Sequence, residues 1–153
     1  MSKNMLWILV PALFLWPSIC LSAEAPHELA GFRLGGKMAA HMQRIKPDTI
    51  LPVRYLESLK EVETKDIWGY KTGLINYTTC TTPPRIARIK FKYADSSKTF
   101  YEALLTRFKK RFGQPDEYRG DPFHVVIAWR WAFVDGNYNG IGLVLPQDTQ
   151  GEG

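Results

Sequence analysis

Asp116, Glu117, Asp121 and His124 fall within nine residues, with Arg119 between them. Carboxylates and an imidazole this close could hold a divalent cation, but their spacing does not match a calcium loop, which alternates its ligands and closes on a bidentate glutamate. His27 and His41 are remote in the chain. The stronger reading is a charged loop that meets a ligand or partner through Arg119, Asp121 and His124, with no metal and no cofactor. Cys80, His124 and Asp121 could form a nucleophile, base and orienter. Cys80 lies in the run Thr78-Thr79-Cys80-Thr81-Thr82, without the neighbouring cations that lower a thiol pKa. No catalytic residue is assigned, and a small hydrolase or thiol enzyme using Cys80 and His124 is the alternative.

Two other motifs weaken on inspection. Gly31-Phe32-Arg33-Leu34-Gly35-Gly36-Lys37 has the spacing of a phosphate-binding loop, but Met38 stands where a Ser or Thr would hold magnesium. Asn76-Tyr77-Thr78 is a glycosylation triplet of a kind that arises often by chance. Arg88, Lys90 and Lys92 alternate along one strand, and Arg130 points away from the aromatic face of another. Together they could form a basic stripe facing an anionic lipid, an acidic polymer or an acidic protein.

These residues need elements to position them. Ala87, Ile89, Phe91 and Tyr93 against Arg88, Lys90 and Lys92 predict a half-buried antiparallel strand. Thr99 and Glu102 have the spacing of a capping box, Phe100, Leu104, Leu105, Phe108 and Phe112 recur at helical spacing, and Gly113 with Pro115 ends the helix. Val125, Ile127, Trp129, Trp131 and Phe133 recur at strand spacing and can take the apolar face of that helix. The turn Asp135–Gly140 leads into a hairpin partner through Ile141, Leu143 and Leu145. Earlier, Leu29–Leu34 reads as one strand, Met38–Ile45 as a short helix stopped by Pro47, Val53–Leu59 as a strand, and Ile67–Tyr77 as a strand with one face left bare by glycine. The sum is a two-layer α+β domain, an antiparallel sheet with helices packed on one face.

Lys3, the 15-residue apolar run Met5–Ile19 and Leu21-Ser22-Ala23 have the layout of a signal peptide cleaved after Ala23 or Ser22. The run is short of the ~20 residues of a membrane span. Residues 1–23 are therefore expected to be a leader, 24–146 one domain and 147–153 a polar tail, with no transmembrane span after processing. With Lys3 removed, 19 basic and 15 acidic residues remain, a net charge of +4. That mild excess falls short of a nucleic-acid binder. Cys80 is then the sole cysteine, so no internal disulfide can form.

The segment Ala87–Tyr93, the run Gly113–Phe123 with its Gly-Asp-Pro-Phe piece, and Trp129-Arg130-Trp131 resemble a family of uncharacterised exported proteins of Gram-negative bacteria. That resemblance implies export and brings no activity with it. Phe108–Leu145, a helix ending in Gly-x-Pro before a Trp-bearing hairpin, is more loosely similar to the SmpA/OmlA type of outer-membrane assembly lipoprotein. It implies shared architecture only. The expected function is a non-enzymatic periplasmic interaction or binding module. A binder of anionic envelope lipid or polysaccharide through the basic sheet face is a further alternative.

Overall fold

Glu28–Leu29 (β1) and Phe32–Arg33 (β2) are two arms of a tight hairpin, so the single strand expected over Leu29–Leu34 is folded back on itself. Ala30 and Gly31 both adopt positive φ, the geometry of a two-residue turn. Arg44 secures it, donating from Nη1 to Gly31 O at 3.0 Å and from Nη2 to Ala30 O at 2.7 Å while its guanidinium lies 4.4 Å from the Phe32 ring centre. The computed structural model describes residues 24–123, 127–137 and 139–147. The expected leader, most of the polar tail, and His124 and Val125 lie outside them.

The strands are all antiparallel and fall into three sheets, where one sheet was expected. The hairpin β1–β2 is one. The second has the order β3 (Leu51–Val53), β4 (Leu56–Glu63), β5 (Tyr70–Thr78) and β6 (Ile86–Tyr93). The reading of one strand over Val53–Leu59 is corrected to a β3–β4 hairpin, because Tyr55 takes a positive φ of 63° and reverses the chain. Val62, Ile75 and Ile89 share one face of this sheet, and Phe32, Met38, Ile45 and Ile86 complete its core. Met38 and Ile45 arrive on and just after a 3-10 helix, Met38–Arg44, tighter than the α-turns that the apolar spacing suggested.

The third sheet has the order β7 (Glu117–Tyr118), β8 (Ile127–Val134) and β9 (Gly140–Gln147). Helix α1 (Lys98–Phe112) covers its inner face, as the paired periodicities predicted: Tyr101, Leu104, Trp131 and Leu145 are buried together, with Phe108, Phe112, Trp129 and Phe133 around them. The capping box expected at Thr99 and Glu102 does not form. Ser97 is the N-cap, its Oγ accepting from Phe100 N–H at 3.2 Å, and Asp95 Oδ1 accepts from Ser97 N–H at 2.8 Å. That Asx turn brings the chain into the helix two residues before Thr99. At the other end Gly113 (φ 83°) reverses the backbone, and its carbonyl accepts from Trp131 Nε1 at 2.9 Å. A row of rings links the two cores. Phe91 lies 4.7 Å from Tyr70, Tyr70 5.0 Å from Tyr93, and Tyr93 5.1 Å from Phe100 of α1.

The bare face of β5 is explained by Gly73. A Cβ there would run into the Phe91 ring and lie 2.5 Å from Thr64 Oγ1. A register shift between Tyr70 and Thr72 marks a bulge beside it.

Candidate functional site

The segment between α1 and β8 is held by backbone bonds at two points. Asp116 N–H donates to Arg130 O at 2.9 Å and Arg119 N–H to Ala128 O at 2.8 Å, and between them Glu117–Tyr118 pairs with Arg130 and Trp129 as β7. Asp116 Oδ2 accepts from Ala132 N–H at 2.7 Å. Tyr118 packs edge-on against Trp129 with centroids 5.2 Å apart, and Lys109 of α1 stands 5.8 Å from the Trp129 ring centre. The loop is thus set by the helix end on one side and the strand on the other.

Its charges are shared out within it. Glu117 Oε1 lies 2.9 Å from Arg119 Nε, and its Oε2 lies 3.1 Å from Arg130 Nη1. Hydrogen bonds from Arg119 and then Arg130 hold the Glu117 carboxyl below the usual carboxylate range. Two guanidiniums surround the Glu117 carboxylate, and the Asp116 and Asp121 carboxylates of the same loop offset their remaining charge. Asp121 Oδ1 accepts from Phe123 N–H at 2.7 Å and its carbonyl from Tyr118 Oη at 3.2 Å, and this turn holds Phe123 outward at 86 % exposure. Beneath the loop, burial and the charge of Tyr118 raise the Tyr101 phenol pKa.

Arg119 and Arg130 are therefore brought together at Glu117, Asp121 lies further along the same loop bonded to Tyr118 and Phe123, and His124 lies outside the described residues. Arg88, Lys90 and Lys92 stand elsewhere, on the outward face of β6. Lys90 Nζ lies 2.5 Å from Glu61 Oε2, Arg88 is registered opposite Asn76, and Lys92 opposite Thr72. The hydrogen bond from Lys90, with a further one from Asn76, lowers the Glu61 pKa against the opposing effect of burial. The expected stripe is thus split between two sheets, with carboxylates interleaved. Sequence spacing missed Glu117 as the group that gathers two arginines, and missed Phe123. The Asp-Pro-Phe turn chemistry was the available signal.

The other motifs are absorbed by structure. Gly35 N–H and Met38 N–H donate to Ile86 O and Pro84 O, so they do not cradle a phosphate. Asn76 is buried in β5 with Nδ2 donating to Glu61 Oε2 at 3.0 Å, out of reach of a glycosylating enzyme. Cys80 is exposed in a loop tied by Thr79 N–H to Ser58 O at 2.8 Å, at the start of β4. The Asp116 and Glu117 carboxylates serve Ala132 N–H and the arginines, and no group of three metal-ligating side chains occurs among the described residues. A cleft lined by Lys46, Thr64, Ile67, Tyr70 and Phe91 holds about 30 Å³, the volume of one water and far below a small-molecule pocket. No helix among the described residues is long and apolar enough to cross a membrane. No family model, curated protein or solved structure matches the chain.

Proposed function

We propose that this chain is an exported, non-enzymatic interaction module that recognises a partner protein of the cell envelope through the loop between α1 and β8. The observation that carries the reading is Phe123, an aromatic held outward on the same loop as Arg119, a loop fixed to β8 at Asp116 and Arg119. An exposed aromatic anchor is how binding energy concentrates at protein interfaces, and a fixed loop loses little entropy on contact. We read α1 and the three-stranded sheet it packs on as the two layers that hold this loop. The placement in the periplasm or envelope rests on the leader-like run Met5–Ile19 with Leu21-Ser22-Ala23.

The other readings have less support. Glu61 and Glu117 temper the basic face meant for anionic lipid or polysaccharide. The thiol-enzyme reading needs Cys80, tied to β4, to act with groups on a loop tied to β8. The test compares capture from envelope extract by the exported protein and by its Phe123→Ala and Arg119→Glu variants. A specific partner lost from both variants, with folding unchanged, is the expected result. Capture unaffected by either substitution contradicts the reading.

A further inference from the structure

The hydrogen bonds of β7 determine which backbone groups β9 offers to its surroundings. Arg130 O and Ala128 O accept from Asp116 and Arg119, and Ala132 N–H donates to Asp116 Oδ2. The peptide groups of Ala128, Arg130 and Ala132 therefore face β7, and those of Trp129, Trp131 and Phe133 face β9. Their register partners Leu145, Leu143 and Ile141 spend their N–H and C=O groups in that ladder. Gly140, Gly142, Val144 and Pro146 turn theirs to the outer edge, where no further strand pairs among the described residues. Pro146 sits where its missing N–H costs the sheet nothing.

The other edges carry guards against pairing. β3 is three residues long, contains Pro52 and shifts register there. β6 points Arg88, Lys90 and Lys92 outward, and β7 is two residues long. β9 is eight residues long, keeps an even register with β8, carries no charged side chain, and has its one proline, Pro146, next to its end. Natural sheets seldom leave such an edge open. On the outward face Val134 is 70 % and Val144 49 % exposed, with Ala132, Gly140 and Gly142 beside them, and Arg130, paired with Glu117, lies opposite Val144.

We propose that β9 is a dimerisation edge, pairing antiparallel with β9 of a second copy of this chain so that the two three-stranded sheets become one. The sequence of the strand selects its own copy as occupant. Laid antiparallel with Gly142 opposite Val144 of the second copy, it sets Gly140 opposite Pro146, small against large on the outward face. On the inner face Leu143 meets its own copy at the twofold axis, and Ile141 lies beside Leu145, so the inner apolar row continues across the junction. Gly142 and Val144 exchange both their N–H···O bonds in this register, and Gly140 N–H reaches the Pro146 carbonyl. With no charge on the strand, no like charges oppose each other, whereas β6 pairing with itself would bring cations together.

The test is the mass in solution of the purified exported chain, by sedimentation across a concentration series. Twice the monomer mass, falling on dilution, is expected. Gly142→Pro should give a monomer with unchanged circular dichroism, because the N–H it removes bonds nothing within the chain and an edge strand tolerates proline. Val144→Lys should give the same shift by introducing a charge, and it decides the matter alone if the proline variant does not fold. A wild-type chain that stays monomeric throughout overturns the proposal, as does a dimer that survives both substitutions. A monomer that instead takes up an extended peptide along β9 also overturns it, giving the edge to a different occupant.

Discussion

Gly73 is the residue whose replacement shows most directly how closely the first core is packed. The Phe91 ring and Thr64 Oγ1 occupy the space of its missing side chain. Gly73→Ala is expected to destabilise the fold by about 1–3 kcal/mol, as overpacked cores do. Gly136→Ala, where a Cβ meets open space, should be near neutral by the same denaturant titration. Glu61 is informative in a different way. Its pKa is lowered from the model-peptide value of 4.5, chiefly by Lys90, so its contribution to stability is complete above that value and is lost as pH falls through the lower folded value. Acid unfolding of Glu61→Gln should therefore show a shallower loss of stability below pH 4.5 than the wild type. An unchanged slope would mean that the Lys90 pair does not persist in solution.

Among the elements, α1 and β8 were the most legible from sequence because each has a strong period and the two periods are complementary. What sequence reasoning misplaced was the helix start. Thr99-x-x-Glu102 has the capping pattern, but Asp95 and Ser97 form a turn that claims the N-cap first. Ser97→Ala should cost about 1 kcal/mol in thermal or denaturant unfolding, and Thr99→Ala clearly less. The reverse order would restore the Thr99 cap. The hairpins at Ala30-Gly31 and Tyr55 were missed for a related reason. Ala and Tyr do not advertise positive φ, and the support for the first turn comes from Arg44, distant in sequence.

At the scale of the whole molecule, alternation identifies strands but not the sheets they join. β6 and β8 both read as half-buried strands, yet one closes over Phe32 and Met38 and the other over α1, with Tyr70, Tyr93 and Phe100 between the two cores. The candidate site was legible as a loop of charged residues between two rigid elements. Its geometry was not legible, because that depends on Glu117 drawing Arg119 and Arg130 together and on Asp121 turning Phe123 outward. Other exposed aromatics provide a built-in comparison, since Trp68 is 98 % exposed on a turn before β5, in a different segment of the chain. The central claim can be put to that comparison with a photo-crosslinking side chain placed at position 123 or at position 68 and activated in intact cells. The account predicts a discrete adduct with an envelope protein from position 123, lost when Arg119→Glu is added, and none of that mass from position 68. Adducts from position 68 with none from position 123 would contradict it.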